Sequence, residues 1–230
     1  MNVSMINFPK IRLHVSSWID YKRRKAAIKE PETVDWLRNC LRLVGPYTLL
    51  DIGANVGGYS LIACALDPRN RAVAVEPFPP TFLTLCKNIA TNDLSERIVP
   101  INAMVGQGIQ GHTLPLSFDS WTSGVAEHAP RGRLQLRLPT VGSAELTPFL
   151  AAPSSLVCKI DVDGAEADVV AAIEPLIALD RMAGLLIECD ATTRGPVEAL
   201  LASAGLQVQT THGKGNQRQV NLIAYRKAGG

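Results

Sequence analysis

The stretch 49-LLDIGANVGGYSLIA-63 limits the fold more than any other part of this chain. An apolar run too short for a buried helix meets an acid, Asp51. Gly53, Asn55 and Gly57 follow at alternate positions before a second apolar run opens. A chain written this way leaves a buried strand, reverses within a few residues and enters a helix. A residue without a side chain makes that reversal cheap and lets a ligand approach the backbone. The helix that starts near Gly57 also presents free N–H groups and the positive end of its dipole. Two uses remain open at this point, a plain turn feeding a helix and a ligand-bearing turn.

The rhythm continues downstream. Strands are expected over Tyr47–Ile52, Arg71–Glu76, Ile98–Ala103, Leu156–Ile160, Leu185–Glu188, Leu206–Thr210 and Val220–Tyr225. Helices are expected over Gly58–Leu66, Ala165–Ala172 and Gly195–Ala204. Another is signalled by Phe82, Leu85, Cys86 and Ile89 at helical spacing. Strands alternating with helices argue for a mostly parallel sheet covered on both faces. The turn 213-GKGNQRQ-219 joins the last two strands as an antiparallel hairpin.

Two parts stand outside this rhythm. Residues 1–44 read as a helical appendage to a domain spanning 45–230, with 16-SSWIDYKRRKAAIKE-30 as one helix. A second carries Trp36, Leu37, Cys40, Leu41 and Val44 on one face. Residues 104–154 form an insertion with strand candidates His112–Ser117 and Arg133–Leu138. Its segment 119-DSWTSGVAEHAPRG-132 is a candidate lid or specificity loop, or an ordinary surface loop.

With 230 residues, the chain suits one well-buried domain with an appendage. Its 23 basic and 21 acidic residues nearly cancel, so composition calls for neither a nucleic acid nor a membrane partner. The knot 22-KRRK-25 reads as a solvated helix face, or as a contact for an acidic surface or nucleic acid. Five cysteines in apolar settings without metal spacing read as reduced core thiols of a cytoplasmic protein. No run reaches the roughly 18 apolar residues of a membrane span.

Asn55 stands where a dinucleotide fingerprint has glycine, and asparagine tolerates the left-handed backbone. The turn therefore leans away from a pyrophosphate and toward a sulfonium nucleoside, whose ammonium Asp51 can receive. Glu76, at the end of the second strand, can accept hydrogen bonds from both hydroxyls of a ribose. In 159-KIDVDGAEADVV-170, Asp161, Asp163 and Glu166 gather at one strand end, where Lys159 can neutralise one of them. Charges so close to an apolar strand face a cleft, pair together or meet a cation.

Together, DIGANVGG, the pair Glu76–Pro77, the helix end Asn88–Asn92 and KIDVDGAE resemble the FkbM family of S-adenosylmethionine-dependent methyltransferases over about residues 45–190. The resemblance implies a class I methyltransferase fold, Rossmann-like and α/β. Its seven-stranded, mostly parallel sheet has the last strand antiparallel and helices on both faces. It implies S-adenosyl-L-methionine as cofactor, held by Asp51, Gly53, Ala54, Asn55 and Gly57, with Glu76 at the ribose. Asn102 and Ala103 would line the adenine pocket, and Asp161 and Asp163 would lie near the transferred methyl group. O-methylation of a sugar, glycan or secondary-metabolite hydroxyl is the expected activity.

A hydroxyl acceptor must lose its proton, so a base is expected. Asp161 or Asp163 comes first, then His212, then His128. Asp161, Asp163, Glu188 and Asp190 also raise the question of a divalent cation, although contacts to amides or water are the favoured reading. A catalytically inactive scaffold of the same fold and a nucleotide-dependent oxidoreductase are the alternatives. Self-association into a homo-oligomer is left open.

Overall fold

A computed structural model describes residues 1–15, 18–107, 112–115, 135–150, 154–162, 164–190, 192–212 and 219–226. The chain opens with strands β1 (Asn2–Met5) and β2 (Phe8–His14), then helices α1 (Trp18–Arg23), α2 (Ala26–Lys29) and α3 (Pro31–Val44). Next come β3 (Tyr47–Ile52), α4 (Gly58–Leu66), β4 (Arg71–Val75), α5 (Pro79–Thr91) and β5 (Ile98–Ile101). Four short strands follow: β6 (Met104–Val105), β7 (His112–Pro115), β8 (Gln135–Leu138) and β9 (Thr140–Val141). Helix α6 (Ser143–Leu146) precedes β10 (Ser155–Ile160), α7 (Glu166–Ala172) and α8 (Glu174–Ile177). The chain then runs through β11 (Met182–Asp190), α9 (Arg194–Ser203), β12 (Leu206–His212) and β13 (Gln219–Arg226).

Seven strands form the main sheet in the order β12-β13-β11-β10-β3-β4-β5. Neighbours from β11 to β5 are parallel, and β13 runs antiparallel to both β11 and β12. The expected hairpin is present, with its second arm inserted into the sheet and its first arm left at the edge. The chain crosses over between β3 and β10, so the carboxyl ends of these two strands flank a switch point, the usual place for a ligand in such a sheet.

Alternation along the central strands separates two cores. Leu50, Ile52, Cys158, Ile160, Ile187 and Cys189 point to the side covered by α7 and α9. Tyr47, Leu49, Val157 and Leu186 point to the side covered by α3 and α4. On that second face the apolar ladder stops at Asp51, Lys159 and Glu188, which share its side by the two-residue period. Polar chemistry on one face at the carboxyl end is therefore written into strand phase.

The N-terminal region differs from the expected helical appendage. Residues 2–14 form an antiparallel hairpin, and residues 16–30 contain two short helices with a turn at Arg24–Lys25 between them. Met5, Ile11, Leu13, Trp36 and Leu37 are buried in the same core as Leu49 and Leu61. Two asparagines fasten the hairpin. Asn88 accepts from His14 N (2.6 Å) and donates to Val56 O (2.8 Å); Asn92 accepts from Arg12 N (2.8 Å) and donates to Arg12 O (2.6 Å). Each amide satisfies backbone groups that the edge strand β2 otherwise leaves bare, and Asn88 also ties that strand to the turn after β3. In the insertion, β6 pairs with β9 and β7 with β8. The candidate lid 119–132, including His128, lies outside the described residues.

Candidate functional site

Gly53, Asn55 and Gly57 all adopt positive φ, at 76°, 54° and 83°. The tolerance expected of Asn55 is thus in use. The most immediate demand on both glycines comes from the chain itself. A Cβ at Gly53 would lie 1.9 Å from the backbone oxygen of Asp161, and one at Gly57 would lie 2.4 Å from Leu85 Cδ1. The turn amides are largely taken as well. Gly53 N and Ala54 N both donate to Val75 O (3.0 Å each), Asn55 N donates to Glu76 Oε2 (2.9 Å), and Gly57 N donates to Ala54 O (2.8 Å). The reversal is knitted to β4 on one side and pressed against β10 on the other.

An acceptor is what this turn leaves over. Asp51 is 1% exposed, and its Oδ2 accepts from Ser60 Oγ at 2.7 Å. Its Oδ1 is buried without a hydrogen-bond partner. Burial pushes this carboxyl above the usual carboxylate range, against the opposing pull of Lys159 and Ser60. An orphaned buried oxygen on a carboxylate is costly, and a donor, best a cationic one, removes the cost.

Glu76 sits just past β4 and is 3% exposed. Its Oε1 accepts from Phe78 N (2.8 Å) while Oε2 accepts from Asn55 N. Burial pushes its pKa up to about 7, opposed by those two N–H groups and by the charge of Arg23 from the KRRK knot. A carboxylate has about four lone-pair sites, so each oxygen retains capacity for one more donor. Asn102 donates to Glu76 O (2.8 Å) and Pro77 O (3.0 Å), which braces the turn holding the acid. Ala54 and Ala103 are both buried, the former in the core with Leu49 and Leu61 and the latter in the core with Ile52 and Val75.

At the end of β10, Lys159 is buried and donates from Nζ to Asp161 Oδ2 at 2.7 Å. The Asp161 side chain stays 38% exposed. Asp161, Glu188 and Glu30 bring carboxylate oxygens within 4.8 Å of one another. Glu30 carries no sequence signal for this role. It arrives from the junction of α2 and α3, and Tyr59 Oη donates to its Oε2 at 2.6 Å. The Tyr59 ring in turn lies 5.0 Å from Lys159 Nζ. We assign no cation to the three acids.

Other candidates are drawn elsewhere. Asp190 accepts from Thr192 N (2.7 Å) and Thr193 N (3.0 Å) at the start of α9, and hydrogen bonds to Thr192 lead in holding its carboxyl below the usual range. Glu166 turns back to accept from Gly164 N at 3.0 Å. His212 ends the edge strand β12, and β13 and β11 separate it from β10. Three strand spacings put its backbone about 14 Å from β10, so Asp161 and His212 are not brought together. Asp163 lies outside the described residues. All five cysteines are free; burial raises Cys40 and Cys189 to about 12 and Cys64 to about 11. Such thiols are inert core residues.

Neither a protein-family model nor a curated protein matches the sequence. Solved structures do match. One is a precorrin-6y C5,15-methyltransferase from Geobacter metallireducens at 15% identity and a TM-score of 0.51, covering 85% of this chain and 88% of that one. The fold is that of the methyltransferases. A putative caffeoyl-CoA O-methyltransferase from Staphylococcus aureus shares the methyltransferase fold at 12% identity and a TM-score of 0.53, over 91% of this chain and 93% of its own. The N-terminal domain of human METTL16, solved in complex with SAH, aligns at 16% identity and a TM-score of 0.51, over 86% and 71%. At these identities the likeness establishes the methyltransferase fold and leaves chemistry to the residues.

Proposed function

We propose that the protein is an S-adenosylmethionine-dependent O-methyltransferase whose acceptor is a hydroxyl of a saccharide or other small metabolite, in the manner of the FkbM family. The orphaned Asp51 Oδ1 carries the cofactor part of this reading, because an amino-acid ammonium supplies the donor it lacks. One structure of this fold solved with SAH, and another named as a putative O-methyltransferase, support it by analogy. When bound, the cofactor supplies a methyl group made electrophilic by a sulfonium.

The residues then take definite roles. Asp51 receives the ammonium, and Glu76 offers one free lone pair per oxygen to the ribose hydroxyls. Asp161, half-exposed and held by Lys159, takes the acceptor proton at Oδ1, since Oδ2 is engaged. Glu30 and Glu188 beside it accept hydrogen bonds from further hydroxyls, an arrangement suited to a polyol. Asp163, two residues along the sequence, is the second candidate for the base, and Asn102 and Ala103 back the adenine end.

The test is transfer of a radiolabelled methyl from S-adenosylmethionine to a panel of hydroxylated sugars and metabolites, run with magnesium and with EDTA. Asp161→Asn should lower turnover at least about a hundredfold while leaving cofactor affinity within a few-fold. Full activity in Asp161→Asn removes it as the base. Transfer to amines alone would replace O-methylation with N-methylation.

A further inference from the structure

Lys159 is a costly residue to place where it is. It sits on the central strand β10, is 1% exposed, and shares a register step and a sheet face with Asp51 on β3. Taking an ammonium out of water costs several kcal/mol unless opposite charge surrounds it. That charge comes from three elements. Asp161, just past the end of its strand, accepts a hydrogen bond from its Nζ at 2.7 Å, and Asp51 and Glu30 act on it through space. The Tyr59 ring covers it from α4. Burial alone would discharge this lysine, yet these carboxylates hold its pKa above the ordinary value.

The groups facing Asp51 can be named in turn. Lys159 and Asp161 face it from β10 and the loop just after it, Ser60 and Tyr59 from α4, and Glu76 from the end of β4, while Cys158 on the opposite sheet face acts only through space. Lys159 is the one cation in that set. Without it, a carboxylate closed off from water would have only the hydroxyl and the backbone N–H of Ser60, neither of them charged, to support its charge. Three carboxylates around one ammonium still leave a net negative field, so a second, incoming cation is drawn in rather than repelled.

We propose that Lys159 is a positioning residue for cofactor binding: its buried ammonium keeps the Asp51 carboxylate charged and ready to accept the α-ammonium of an amino-acid-bearing nucleoside. This rests on the reading that Asp51 receives the ammonium of S-adenosylmethionine. The residue does not touch the ligand; it acts through Asp51.

The experiment is titration calorimetry with S-adenosylhomocysteine, which carries the same ammonium and needs no acceptor. Wild type, Lys159→Met, Lys159→Gln, Lys159→Arg, Asp51→Asn and the double variant Asp51→Asn/Lys159→Met are compared between about pH 6 and 7.5. Lys159→Met should weaken binding about tenfold or more at the lower pH and recover part of it as pH rises, because removing the cation favours the protonated, non-accepting carboxyl. Lys159→Arg should restore near-native affinity with the pH profile of wild type, including the titration of Glu76 near 7 that all variants share. The double variant should bind within about twofold of Asp51→Asn alone, since one effect runs through the other. Lys159→Gln, which retains a hydrogen-bond donor for Asp161, should behave as Lys159→Met and decides the matter where the methionine variant does not fold. A Lys159→Gln protein that binds as wild type, or losses that add in the double variant, overturns the proposal. Native affinity in Asp51→Asn would instead overturn the reading of Asp51, so the two failures are distinct.

Discussion

Gly53→Ala is the sharpest perturbation of the turn. Two costs combine. Holding alanine at a φ of 76° costs about 1 kcal/mol. The larger cost is steric, because the new methyl would lie 1.9 Å from a backbone oxygen at the end of β10, and no flexible side-chain tip is there to swing away. Relief requires β3 and β10 to part at their carboxyl ends, which breaks the Asp161 N to Ile52 O hydrogen bond of 3.0 Å. Together these should cost roughly 3–5 kcal/mol, a large share of a typical domain's stability. Gly205 is the control: its φ is 75° but nothing lies within 4 Å of a Cβ there, so Gly205→Ala should cost only about 1 kcal/mol. Urea unfolding of both variants, compared at equal m-value, separates strain from collision. Equal losses in the two variants would refute the close approach of Asp161 to the turn.

Glu76 should set part of the pH dependence of stability. Its folded pKa of about 7 lies above the ordinary 4.5, so the folded state keeps a proton that the unfolded chain has already released between those values. Stability is therefore lost as pH rises through that window, by roughly 3 kcal/mol in total, and Glu76→Gln should flatten this dependence in urea melts at pH 5 and 8. An identical pH dependence in wild type and variant would count against a buried Glu76. Asn88→Ala should cost roughly 2 kcal/mol by leaving Val56 O and His14 N unpaired, and should expose the N-terminal hairpin to limited proteolysis before the rest of the chain. Uniform protease resistance would show that Asn88 does not fasten the hairpin.

The central fold was readable because its signals are local. The apolar run before Asp51, the glycine turn and the helical spacing of Leu85 and Ile89 each report on a handful of consecutive residues. What escaped depends on distance in the chain. Glu30 reaches the carboxylates of Asp161 and Glu188 only after two helices fold over α4, and nothing near Glu30 marks that destination. Residues 2–14 alternate too weakly to stand out as strands, since the partners that complete them, Asn88 and Asn92, lie in another element. Gly53 shows a different limit. Its turn was legible, but its nearest neighbour is the backbone of a strand more than a hundred residues later. His212 was a candidate on loop position alone, and strand order carries it to the far edge.

One binding event decides the role of the Gly53–Gly57 turn. Titrating the purified protein with S-adenosylhomocysteine, with NAD in a parallel cell, tests it directly. Saturable one-to-one binding of S-adenosylhomocysteine at micromolar affinity, weakened by Asp51→Asn and without a response to NAD, is the predicted result. Binding of NAD, or no binding of S-adenosylhomocysteine, would contradict it and return the Gly53–Gly57 turn to a purely architectural role or to dinucleotide chemistry.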